Sequence, residues 1–187
     1  MKSLTKLQKN ALFTFVMYLL FLTWVIELKC NMEMPIFYSK TYMGGMSLAE
    51  RAEWSFCHFR FTGEEPIYLN KVIDDILVNI FLFLAVGMLL PLIFNNQKYR
   101  LTPILGFGLS LFFEISPFFN TLGGFAYIDL ITNTLGATIG ALLTHTIMRR
   151  INNRTANVIL NVFSVFFSVL AIYGIVSTII HIDVYYV

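Results

Sequence analysis

Five apolar runs stand out along the chain, at positions 10–28, 76–94, 102–118, 127–148 and 156–180, divided by short polar or charged segments. Each is near the ~20 residues that a helix needs to cross a hydrocarbon layer. The pattern predicts an all-α integral membrane protein, a bundle of five transmembrane helices in a single domain over residues 1–187. The third run is short and interrupted by Gly106 and Gly108, which a bundle tolerates where neighbouring helices satisfy the backbone. Lys2, Lys6 and Lys9 precede the first run as in a signal peptide, but no small-residue cleavage site follows it. Lys29 just before Cys30 also argues against lipoprotein processing, so the run reads as a retained membrane anchor.

The polar positions between the runs set the orientation, because Lys and Arg collect in cytoplasmic loops. Lys2, Lys6 and Lys9, then Lys98 and Arg100, then Arg149, Arg150 and Arg154 fall on one side, with no acidic residue among them. That side is expected to be cytoplasmic, which puts the N-terminus in, the C-terminus out and a long first loop, 29–75, outside the membrane. Within it, "SLAERAEW" carries Ser47 and Glu50 at capping-box spacing and predicts a helix start. "WSFCHFRF" suits either an interfacial aromatic belt or a short strand.

Composition agrees with this reading. The 187 residues are 57% hydrophobic and 13% charged, with a formal charge of +2, which describes a chain solvated by lipid. The basic clusters read as topology signals that also meet anionic headgroups, and nothing supports a nucleic-acid partner.

Polar residues inside the runs carry the candidate chemistry. Counted at ~1.5 Å per residue, Asn79, Glu114, Asp129 and Asn133 all fall in the outer half of their helices. In "YIDLITNTLGATIG", residues 129, 133, 136 and 140 share one face, so Asp129 and Asn133 continue into a stripe of Gly136 and Gly140. Such a small-xxx-small stripe admits a neighbouring helix at close range, which aims the carboxylate and the amide into the bundle. Ser110 shares a face with Glu114 in the same way. A carboxylate in hydrocarbon costs about 2.5–3.5 kcal/mol at the bilayer centre and less toward the interface. No Lys or Arg sits in the outer half of any run, leaving three explanations: protonation, a cation from the first loop (Arg51, Arg60 or Lys71), or a bound polar or cationic ligand. Asn79 and Ser110 serve equally well as interhelical hydrogen bonds. Asn157, Asn161, Ser164 and Ser168 have the spacing of a helix–helix seam.

Other chemistry is sparse. No phosphate loop, nucleophile elbow or HExxH pattern occurs, so no catalytic residue, metal or cofactor is assigned. His58, His145 and His181 are scattered, and His181 with Asp183 offers only two ligands. Cys30 and Cys57 both fall outside, and their pairing is open.

"NIFLFLAVGMLLP" (79–91), "SLFFE" (110–114) and "DLITNTLGATIG" (129–140) together resemble the VanZ-like family of bacterial membrane proteins. Glu114, Asp129 and Asn133 match the family's pattern. The chain departs from it at Ala85, where a proline is usual, at Pro117, where a Gln is frequent, and in "GGFAYI", which lacks the usual Arg and second acidic residue. The resemblance implies a bacterial cell-membrane protein of the envelope, in a family linked to resistance against teicoplanin-type lipoglycopeptides. With the residue pattern, it leads to an expected outward-facing pocket formed by Glu114, Asp129, Asn133, Asn79 and Ser110. Its expected partners are membrane lipids, with a wall precursor or a glycopeptide as ligand. The alternatives are an intramembrane enzyme on a lipid-linked substrate, with Glu114 and Asp129 as acid and base, a proton-coupled transporter or flippase, and a scaffold without a ligand.

Overall fold

A computed structural model describes residues 4–29, 47, 49–50, 66–94, 99–119 and 126–185, with the side chains at 27–29, 66–72, 74, 117–119 and 178–185 left aside. Five long helices account for most of it: α1 (Lys6–Thr23), α2 (Pro66–Ile93), α3 (Thr102–Phe119), α4 (Tyr127–Met148) and α5 (Asn153–Tyr185). A π-helical turn, Trp24–Lys29, extends α1, and a 3-10 turn, Tyr99–Leu101, leads into α3. The α4 limits coincide with the fourth apolar run.

The helices start and stop where local chemistry directs. Thr5 and Gln8 form a capping box at the head of α1, the Thr5 hydroxyl accepting from the Gln8 N–H at 3.3 Å and the Gln8 side chain accepting from the Thr5 N–H at 2.9 Å. Gln8 also donates through Nε2 to the Ile93 carbonyl at 2.9 Å, supplying one of the acceptors' partners that the end of α2 lacks. In the first loop, the Ser47 N–H donates to Glu50 at 2.6 Å and the Glu50 N–H to Ser47 Oγ at 3.3 Å, which forms the expected helix start. The Ser47 N–H, and after it the Ser47 hydroxyl, hold the Glu50 carboxyl below its ordinary pKa. "WSFCHFRF", Cys30, Cys57, His58, Arg51 and Arg60 lie outside the described residues.

Two apolar runs understate their helices. α2 begins ten residues before the second run, with Pro66 as its first residue, where its fixed φ and missing N–H cost nothing. Lys71 therefore belongs to a helix and not to the loop that the sequence assigned it to. α5 likewise continues to Tyr185, so His181 and Asp183 are helical. A search for apolar residues ends where polarity begins, but a helix does not.

Three stretches are long and apolar enough to cross a membrane: Lys6–Ile26, Asp75–Ile93 and Asn153–Ser177, among the described residues. The sequence predicted five. The five long helices match that number, and α4 falls short of that apolarity because it is diluted by polar residues. Those polar residues face protein: Thr132, Asn133 and Thr144 are buried, as are Gly136 and Gly140. The surface shows the inverse pattern, with Phe81 69%, Ile104 67% and Val162 65% exposed while Ser110 and Thr14 are fully buried. So much exposed apolar surface suits a lipid solvent, and the chain has the makings of a membrane protein.

Packing runs in series, each helix finding its main partner in the order α3, α4, α2, α1, α5. The closest contact is between α2 and α4. A Cβ on Gly136 or Gly140 would overlap the carbonyls of Ile80 and Leu84, and one on Gly87 would overlap that of Ala137. The predicted stripe thus brings two backbones together. Gly106 of α3 packs on the other side of the same residue, against the Ala137 methyl, whereas Gly108 faces open space. Pro91 has no N–H for the Gly87 carbonyl, and one residue on the Thr144 hydroxyl donates to the Met88 carbonyl at 3.0 Å.

Candidate functional site

The five residues singled out in sequence come together at one end of the α2–α3–α4 group. Ser110 lies on α3, and its hydroxyl accepts from Asn133 Nδ2 of α4 at 2.9 Å. Glu114, one turn further along α3 and 8% exposed, accepts through Oε2 from the Ala126 N–H at 2.7 Å. Asp129, in the first turn of α4, is hydrogen-bonded by the Asn79 side chain of α2. Two further carboxylates lie within electrostatic reach of it, Glu114 and Asp75.

The Glu114 contact supplies a fourth explanation for a carboxylate within an apolar run. Ala126 is the N-cap of α4 and has no side chain with which to cap it. The first N–H groups of a helix lack intrahelical partners and carry the positive end of its dipole. Glu114 meets that end from the neighbouring helix. No sequence pattern announces such a bond, because the donor belongs to the main chain of an alanine.

Asn133 leaves a demand unmet. It is 3% exposed; its Nδ2 is satisfied by Ser110, but Oδ1 is buried without a hydrogen-bond partner. Exchanging the two amide atoms does not help, since Ser110 would then donate to Oδ1 and strand Nδ2. An unpaired buried polar atom of this kind costs about 1–3 kcal/mol. Asp75 was missed as a member of this group because it was counted with the loop. Its position four residues before Asn79 places both on one face of α2.

The opposite end of the bundle is basic. Gln8 to Ile93, Asn10 to Asn157 and Asn161, and the stacking of Tyr99 on His145 at 4.1 Å place the start of α1, the end of α2, the approach to α3, the end of α4 and the start of α5 together. Lys6, Lys9, Arg100, Arg149, Arg150 and Arg154 therefore gather at that end, and no acidic residue is described there. The bonds from Asn10 also place α1 against Asn157 and Asn161, two members of the polar stripe on α5.

Comparison with known proteins gives one result of substance. No curated protein and no solved structure matches the chain. The family model for VanZ/LLP1 matches residues 15–149, from within α1 to the end of α4, and so takes in all five site residues. On that match the chain belongs to the VanZ/LLP1 family.

Proposed function

We propose that the chain is a multi-pass protein of the bacterial cell membrane, with its basic end cytoplasmic, and that its outer polar cluster binds an amphipathic molecule of the envelope. The observation that carries this reading is the buried, unpartnered Asn133 Oδ1, one helical turn from Asp129, whose carboxylate has those of Glu114 and Asp75 within electrostatic reach. A group so rich in acceptors calls for a ligand that brings donors: ammonium, amide or hydroxyl. An envelope lipid, a wall precursor and a lipoglycopeptide all present such groups on an apolar body. Family membership supports the link to teicoplanin-type resistance and leaves the ligand to experiment.

The test is teicoplanin tolerance of a susceptible Gram-positive host expressing the protein, with membrane levels monitored. Glu114→Gln keeps a side-chain oxygen for the Ala126 N–H, and Asp129→Asn keeps a partner for Asn79, so both remove charge with little change of shape. The expected result is raised tolerance with the native chain, lost in both variants at equal membrane levels. Tolerance unchanged by either variant removes the cluster from the function, and no gain from the native chain removes the antibiotic link.

That Glu114 and Asp129 lie within electrostatic reach of each other favours a second reading, in which the pair supplies acid and base to a lipid-linked substrate. Turnover lost in Glu114→Gln with ligand binding retained would select it. Joint loss of turnover and binding returns the first reading.

A further inference from the structure

Because α5 leans on α1, it leaves a gap against α2 and α4 near the basic end. The gap is a cavity of about 160 Å³, walled by Met88 and Leu92 of α2, Thr144 and Met148 of α4, and Ala156 and Leu160 of α5. Ile147, Ile159 and Phe163 also line it and are exposed, so it opens sideways at the surface of the bundle. A second cavity of about 390 Å³ adjoins the first, the two sharing Leu92 and Met148 in their walls. Its walls are different: Thr5, Lys6, Gln8, Asn153 and Asn157 line it. Lys9, Arg149, Arg150 and Arg154 surround that end without an acidic counterpart among the described residues.

We propose that the two cavities together seat one anionic lipid of the surrounding membrane, with a segment of an acyl chain in the apolar cavity and the phosphate of its headgroup in the polar one, beside Lys6. An apolar cavity of this size does not fill with water, and left empty its lining forfeits dispersion contacts on one side. Hydrocarbon entering from the side restores them. Lysine is a compact charge suited to phosphate, and the basic surroundings attract anionic headgroups over neutral ones. The inference rests on the membrane reading but not on the outer polar cluster, which lies at the other end.

Native mass spectrometry of the full chain in detergent, titrated with phosphatidylglycerol and phosphatidylcholine of identical acyl chains, tests it. The first phosphatidylglycerol is expected to be retained several-fold more than phosphatidylcholine. Lys6→Glu, at an exposed position, should bring that ratio close to one. Ala156→Leu should lower retention of both lipids by filling the cavity. Melting curves establish that it folds, and Ala85→Leu, on the opposite wall, replaces it if it does not. Equal retention of the two lipids by the native chain overturns the proposal, as does a preference that survives Lys6→Glu or undiminished retention in the filled variant. Failure of the outer site as a ligand site changes none of these readings.

Discussion

Between α2 and α4 the backbones meet at three glycines, whereas between α1 and α5 side-chain hydrogen bonds lie toward the basic end and packed rings toward the other. Gly87, Gly136 and Gly140 leave no room for a Cβ on the α2–α4 seam, and Thr144 bonds directly to a main-chain carbonyl across it. On the other seam, Tyr18 meets Phe167 edge-on at 4.6 Å, Phe21 lies 5.9 Å from Phe167, and Trp24 meets Tyr173 at 5.9 Å. In the membrane proposed above, lipid tails are as apolar as leucine, so neither seam would draw on the hydrophobic effect in the way a soluble core does. The glycine seam gains from close contact and hydrogen bonds that lipid cannot supply. The α1–α5 seam has such bonds near the basic end, where Asn10 donates to Asn157 and Asn161 and the Thr14 hydroxyl to the Leu160 carbonyl, but its aromatic half gains mostly from dispersion, for which lipid is a fair substitute. The glycine seam should therefore tolerate change far less than the aromatic half of the other.

The sharpest way to break the contrast is Gly140→Ala. The added methyl would overlap the Leu84 carbonyl and approach the Met88 N–H and the Gly87 carbonyl carbon, all main-chain atoms that move only if the helix moves. Overpacking typically costs about 1–3 kcal/mol and occasionally more, and this site belongs at the upper end. Thermal unfolding of the purified protein in detergent should show a large fall, with loss from the membrane in cells. A variant that melts with the native protein would mean that the seam is looser than described.

Phe167→Ala should do less. The residue is half-buried, and lipid can re-cover much of what the ring covered, so about 1–2 kcal/mol is expected, below the 3–5 kcal/mol typical of a soluble core. The same melting measurement checks it. A loss equal to that of Gly140→Ala would put the two seams on a par.

The two seams also differ in how far they were legible in sequence. The glycine stripe was readable because it follows a strict spacing of four on one face, and it points Asp129 and Asn133 inward with it. The Ser110 and Glu114 face followed from the same geometry. What escaped was non-periodic or main-chain: the Glu114 bond to the Ala126 N–H, Asp75 taken for loop because α2 outruns its apolar run, and the Thr5–Gln8 capping box hidden before the first run. The partner order was equally hidden. Nothing local in Tyr18 or Phe167 says that the first helix meets the last, because aromatic residues on a lipid-facing helix look alike whether they meet protein or lipid.

The smallest effect is the most discriminating, because it applies the same substitution to a glycine on neither seam. Gly108 of α3 has nothing within 4 Å of an added Cβ. Alanine there brings no clash and removes the entropic penalty that glycine imposes within a helix, roughly 0.5–1 kcal/mol. Gly108→Ala should therefore raise the melting temperature slightly, with membrane levels and teicoplanin tolerance unchanged. If it destabilises instead, the α3 surface around Gly108 is covered in the assembled protein, by another helix or a second copy. If it stabilises while Gly140→Ala unfolds the chain, the harm in the latter comes from the facing α2 backbone and not from any intolerance of these helices to alanine.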